Sequence, residues 1–408
     1  MLVDLESWKG LVSKDLIKEN KYKFEKIKEK ILSNNHNYTF LRKDNNDEIF
    51  NLILEAQNKF KSYEKIFLIG TGGSSLGAKA FLSIINSDRI SFLESLDPSR
   101  VLTLLNKYKK KRLGVIIISK SGETLEVLCL LDIIIKNYSS SINIHRDALI
   151  ISDKKESKLN NIANLYNISF MEHDPTIGGR YSCFSVTGLV PLQLAGVDSI
   201  EIKKKADTSF MDNLSLDKYN NSEAINILAG LTKAKIFTGH VFLVYMESFS
   251  ALGQWYRQLW AESLGKHNLG LHLMTAVGPV DQHSQLQMWL DGPNNLVFTI
   301  VIPKKRKNDI RTSNVANILP DYLQDKNIGE ILNVMGEATA KELKKANRPV
   351  RVIYVDDDTI NAAIHLMTML LLEVALIGDI IGINPFNQPA VERIKDTTKF
   401  ILDNYDRN

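Results

Sequence analysis

Short, continuous apolar runs alternate along this chain with longer stretches of helical periodicity. The runs are KIFLIG (65–70), RISFLES (89–95), LGVIIIS (113–119) and ALIIS (148–152). Each is rich in Ile, Leu, Val or Phe and is bounded by glycine or charge. A strand covered on both faces is apolar at nearly every position, so runs of this kind between helices predict a parallel sheet with helices on both sides. The pattern recurs in HVFLVYME (240–247), LVFTIVIP (296–303) and RPVRVIYVD (348–356). The expected fold class is therefore α/β, with two successive units, each a parallel sheet in an αβα sandwich. The expected divisions are a helical lead-in (1–62), a first unit (63–200), a polar linker (201–222), a second unit (223–383) and a C-terminal segment (384–408). A length of 408 residues, at roughly 150 residues per domain, accommodates this plan.

Composition removes several function classes. The charge balance is 51 − 47 = +4, too small an excess to demand nucleic acid, though a local basic pocket for an anion stays open. Two cysteines, Cys129 and Cys183, make neither a disulfide framework nor a CxxC site. Each reads as a small buried hydrophobe. The eight histidines show no HxH or HExxH spacing, so no metal is expected. The N-terminus carries Asp4 and Glu6 where a signal peptide needs a basic start. The most apolar stretch, 366–382, is interrupted by Thr368, Glu373 and Asp379 and reads as a buried helix, not a membrane span. A cytoplasmic protein without membrane or nucleic-acid partners is the expectation.

Six segments carry chemistry. GTGGSSLG (70–77) follows a strand and opens a helix. Its glycines permit a tight turn, and the helix N-terminus offers N–H groups to an anion. A dinucleotide site would want a third glycine where Ser75 stands, and a purely structural turn is the simpler rival. SKSGETLE (119–126) places Ser119, Ser121 and Thr124 in one turn at a helix start, with Lys120 for charge. One hydroxyl would suffice for a cap; three point to a phosphate monoester. Glu123 is repulsive there and should point away. In GGRYSCF (178–184) two glycines bring Arg180 close to a ligand, and a permanent guanidinium can stabilise an oxyanion.

The remaining three lie in the second half. In SFSALGQWYRQLWAESLGK (248–266), Phe249, Leu252, Trp255, Tyr256, Leu259 and Trp260 form one helical apolar face. Glu262 ends that face, placed either as a general base or as a solvated helix-end acid. His283 sits among neutral Gln and Ser partners that can fix its tautomer. In NPFNQPAVERIK (384–395), Gln388 and Lys395 lie seven residues apart, two turns along one face if a helix starts near Pro389.

Together and in this order the segments resemble the glucose-6-phosphate isomerase (phosphoglucose isomerase) family, from about residue 60 to 398. The matching elements are the GGS loop, the serine–threonine turn, the GGR turn, the ESxGK segment, the QHS segment and the C-terminal NPFxQPxVExxK. The resemblance implies the sugar-isomerase (SIS) fold and interconversion of glucose 6-phosphate and fructose 6-phosphate, without metal or other cofactor. It implies that Ser119, Lys120, Ser121 and Thr124 hold the phosphate and that Gly73 and Ser74 touch the sugar. It implies Glu262 as the base between C1 and C2, Arg180 as enediolate stabiliser, His283 and Lys395 as ring openers and Gln388 as positioner. It also implies a homodimer in which His283 acts across the interface. Glu123 departs from the hydroxyl residue often found in such a turn. Three other readings stand beside this one: an isomerase that also takes mannose 6-phosphate, a non-catalytic sugar-phosphate sensor, and a nucleotide-dependent oxidoreductase on residues 65–100.

Overall fold

The computed structural model describes residues 1–405 except 35–36, 43–45, 109–110, 139–141, 216 and 218–220. In chain order the strands are β1 (Leu2–Asp4), β2 (Lys65–Ile69), β3 (Ile90–Leu93), β4 (Leu113–Ile118), β5 (Ala148–Ser152), β6 (Ser169–Glu172), β7 (Gly239–Val244), β8 (His272–Val277), β9 (Leu296–Pro303) and β10 (Val350–Val355). The helices are α1 (Lys14–Leu32), α2 (Asn46–Phe60), α3 (Leu76–Ile85), α4 (Pro98–Tyr108), α5 (Leu125–Tyr138), α6 (Ile144–Asp147), α7 (Lys158–Leu165), α8 (Val186–Leu194), α9 (Ser199–Ser215), α10 (Asn221–Ala234), α11 (Ser250–Leu264), α12 (Leu286–Asp291), α13 (Ile328–Lys345), α14 (Ile360–Ile381) and α15 (Pro389–Asp403).

Two five-stranded sheets result, ordered β3-β2-β4-β5-β6 and β1-β10-β9-β7-β8. All seven apolar runs named from the sequence are strands. Their physical basis is plain: β2, β4, β5 and β7 are buried at every position, with helices covering both faces. The first sheet is wholly parallel. The second is parallel except for β1, which pairs antiparallel with β10. Three strands escaped the sequence reading. β1 has three residues, too few to show a period. β6 (SFME) and β8 (HLMTAV) lie at sheet edges and are partly exposed, so they lack the continuous apolar signature.

Three further expectations need correction. The lead-in is not purely helical, because β1 completes the far sheet. The segment read as a linker is mostly structure: α9 covers 199–215 and buries Ile202, Ala206, Phe210 and Leu214. Its polar character misled because Lys203 and Asp207, four apart, are both buried and pair at 2.5 Å. Residues 216 and 218–220 of that expected linker lie outside the described residues. Cys183 is buried, but Cys129 is exposed, being on the outer face of α5.

The apolar helix α14 is the one described helix long and apolar enough to cross a membrane, and 83% of its apolar window is buried inside the protein. Its Glu373 is fully buried and meets Arg351 of β10 in two bonds of 2.5 and 3.2 Å. Tyr256 of α11 donates to the same carboxylate at 2.8 Å, and Arg351 also donates to Thr299 at 3.0 Å. This network fixes α11, the helix that carries Glu262, against the second sheet. Breaking one partner leaves an uncompensated buried charge. Glu373→Gln is expected to lose about 3–5 kcal/mol in a urea unfolding titration. The double variant Arg351→Met/Glu373→Leu should lose clearly less, because neither charge is then stranded.

Candidate active site

Because each sheet's long strands are parallel, the loops that leave their C-terminal ends gather on one edge, where ligands of open α/β sheets bind. The loop after β2 makes a single tight turn at Gly72–Ser74 before α3 begins. The GGR turn after β6 lies directly against it. A Cβ on Gly73 would collide with the Gly179 carbonyl carbon and sit 2.6 Å from the Arg180 nitrogen. The two backbones meet with no room for a side chain, and this close approach puts Gly73 and Ser74 beside Arg180.

The turn after β4 is organised by its own hydroxyls. Ser119 Oγ lies 2.8 Å from Thr124 Oγ1 and accepts from the Gly122 N–H at 3.2 Å. Ser121 Oγ accepts from the Glu123 N–H at 3.2 Å. Gly122 takes φ +68°, and a Cβ there would collide with Ser157 Oγ, so glycine is required on both counts. The chain then enters α5, whose N-terminus faces the same side. Glu123 is turned away: its carboxylate accepts from the Lys158 N–H at 2.6 Å at the start of α7, where the helix dipole favours an acid. Lys120 donates to the Ile177 carbonyl at 3.0 Å, the residue before Gly178. Burial lowers its pKa, with Asp153 opposing and Arg180 adding to the shift. The hydroxyl turn is thereby tied to the GGR turn.

Arg180 is the centre of the site and is 3% exposed. Its Nε donates to Ser263 Oγ at 2.8 Å. One terminal nitrogen reaches Glu262 Oε2 at 3.3 Å and Gln388 Oε1 at 2.8 Å. The other donates to the carbonyls of Pro385 at 2.6 Å and Asn387 at 3.0 Å. One planar fork thus joins the GGR turn, the end of α11 and the NPFNQ segment. That segment is anchored by Phe386, whose ring meets Tyr38, Tyr181 and Phe40 at centroid distances of 5.6, 5.2 and 6.5 Å. The apolar face of α11 is buried as its spacing predicts, which leaves Glu262 on the flank, 29% exposed by side chain. A carboxylate held by a buried cation and open to one side can accept a proton from a bound carbon acid.

Sequence reasoning missed five participants. Gln258 donates to Glu262 Oε1 at 2.9 Å and stands one turn before it, so i,i+4 spacing was the available signal. Ser263 holds Arg180 from the next position. The carbonyls of Pro385 and Asn387 carry no side-chain signature. Lys266 donates to the carbonyls of Ser263 at 2.9 Å and Asn384 at 2.6 Å.

Two sequence-predicted residues stand apart from the cluster. His283 is exposed on the single turn Val280–His283 after β8. Lys395 pairs with Glu392 at 2.9 Å and is 54% exposed. Helix α15 starts at Pro389 as expected, with Gln388 as its N-cap at φ −148°, and Lys395 follows two turns along it. Among the described residues no group of three or more His, Cys, Asp and Glu side chains is placed to hold a metal.

Two parallel αβα units with a hydroxyl-rich turn and a guanidinium–carboxylate pair along one edge define a protein of the sugar-isomerase fold. A solved glucose-6-phosphate isomerase from Chlamydia trachomatis shares that fold, with TM-score 0.76 and 19% identity over 89% of this chain and 74% of that one. A hypothetical protein from Thermus thermophilus superposes with TM-score 0.88 and 27% identity, covering 98% of this chain and 100% of that one. A glucose-6-phosphate isomerase from Thermus thermophilus is 31% identical over 346 residues, 82% of this chain and 83% of the relative. The phosphoglucose isomerase family model matches residues 55–408. The chain belongs to the phosphoglucose isomerase family.

Proposed function

We propose that this protein interconverts glucose 6-phosphate and fructose 6-phosphate through an enediolate. The observation that carries the reading is the buried Arg180 held against Glu262 next to a preorganised hydroxyl turn. Ser119, Ser121, Thr124 and Lys120 hold the phosphate, and Gly73, Ser74 and Gln388 position the sugar chain. Glu262 takes the proton from C2 of the open aldose. The C2–H electron pair becomes the C1=C2 double bond, and the C1 carbonyl pair moves to oxygen, where Arg180 meets the new charge. The same carboxylate returns the proton to C1, and the O2 proton passes to O1, which leaves the ketose. Phosphate binding supplies remote energy that can be spent on aligning C1 and C2. Turnover of fructose 6-phosphate by the purified protein, coupled to oxidation of the glucose 6-phosphate formed, tests the reading. Binding without turnover would favour a sensor, and equal turnover of mannose 6-phosphate would widen the substrate class. We place the enzyme in the cytoplasm, where such phosphorylated sugars are kept.

The separation of His283 from the Arg180–Glu262 cluster supports a homodimer in which His283 of the partner subunit, with Lys395, opens the sugar ring. Exposed Val280 (69%) and Met288 (60%) flank His283, and Ile394 and Phe400 are exposed on α15. These apolar side chains suit a second copy of the chain. Mixing decides the point. In an equal mixture of His283→Ala and Glu262→Gln chains that exchange subunits, half the dimers are mixed and each has one intact site. Activity should recover to about a quarter of wild type. No recovery, with subunit exchange verified, would place His283 in its own chain's site.

A further inference from the structure

The mechanism above leaves Lys266 without a task, although it sits at the joint between two site-bearing elements. Its ammonium donates to the Ser263 carbonyl at 2.9 Å and the Asn384 carbonyl at 2.6 Å. Ser263 lies in the last turn of α11, next to Glu262 and bonded to Arg180. Its carbonyl is one of those left open at a helix end, where the dipole favours a cation. Asn384 begins the NPFNQ segment, which supplies Pro385, Asn387 and Gln388 to Arg180. Two cations therefore grip the same segment, and both are bonded to Ser263, Arg180 at its hydroxyl and Lys266 at its carbonyl.

We propose that Lys266 is a positioning residue for the isomerisation: its ammonium ties the 384–388 segment to the end of α11 and so holds Gln388 and Arg180 opposite Glu262. The proposal rests on the reading of Glu262 as the carbon base. Lys266 does not touch the reacting atoms; it acts through Arg180 and Gln388. Arginine could bridge the same two carbonyls, whereas methionine, of similar length, could bridge neither.

The charge on Lys266 adds a second readout. Half-burial and the nearby Arg180 lower its pKa to about 8, with Glu262 opposing. The charged groups facing it are Arg180 from the GGR turn and Glu262 from α11. The segment 384–388 brings none, and His267, next in the chain, is exposed. As pH rises through about 8, the ammonium becomes a neutral amine and its hold on the two carbonyls weakens. Wild-type turnover should therefore fall on that limb.

The test compares wild type, Lys266→Met and Lys266→Arg for kcat and KM on fructose 6-phosphate across pH 6–10, with melting temperatures alongside. Lys266→Met should lose about 10–100-fold in kcat, as misplacement of catalytic groups does, with a smaller change in KM. Its alkaline limb should vanish. Lys266→Arg should recover most of kcat and push the limb upward. An unchanged limb in Lys266→Arg overturns the proposal, even if Lys266→Met fails to fold. So does wild-type kcat in Lys266→Met. Proton exchange retained in Glu262→Gln would instead sink the base assignment, and the Lys266 pH comparison would still be readable.

Discussion

Glu262→Gln should abolish exchange of the C2 proton with solvent and lower kcat by about 10²–10⁴, while fructose 6-phosphate still raises the melting temperature. The substitution keeps size and shape. The new amide oxygen can still accept from Arg180, which now bonds Glu262 at 3.3 Å. On the other side Gln258 donates to the carboxylate at 2.9 Å. Its own amide oxygen is buried without a partner, so a flip of Gln258 would present that oxygen to the new amide nitrogen. The neighbourhood can therefore absorb the change, and the specific loss is a base. The Ser119–Thr124 turn proposed to hold the phosphate is untouched, so binding should persist. Retained isotope exchange from labelled water would remove Glu262 from the role.

Arg180→Lys should lower kcat by about 10²–10³, despite conserving charge. The guanidinium spreads five donors over Ser263, Glu262, Gln388, Pro385 and Asn387. An ammonium has three donors about one point and cannot reproduce that fork. At least two acceptors in a buried site would lose their partner. The carbonyls of the NPFNQ segment are the ones to lose it, so Gln388 should also drift. The loss should appear in kcat more than in KM, because the charge that Arg180 is proposed to meet is largest in the enediolate. A variant with wild-type kcat would place the stabiliser elsewhere.

These two variants also mark where the sequence was informative. Seven of the ten strands among the described residues could be read from continuous apolar runs, because burial on both faces writes itself into every position. The turns were legible for a similar reason. A glycine beside serine and threonine at a strand end admits few structural uses, and Gly73, Gly122 and Ser119 all sit in contacts that need those residues. Edge strands β6 and β8 stayed hidden because half-exposed strands mix polar and apolar residues. The supposed linker hid α9 because buried charge pairs such as Lys203–Asp207 imitate a solvated segment.

Alone, the residue types and their order pointed to two parallel sheets, a hydroxyl-rich turn suited to an anion, and Arg180 and Glu262 as candidate site residues. Only the tertiary structure decided which parts of that site touch. It set Arg180 against backbone carbonyls two hundred residues away in sequence, brought in Gln258 and Lys266, and left His283 and Lys395 at the surface. The reason is physical. Burial and turn preference act on each residue locally and leave a trace in its identity. A backbone carbonyl that serves as a ligand is present at every position, and only the packing of distant segments selects which one is used.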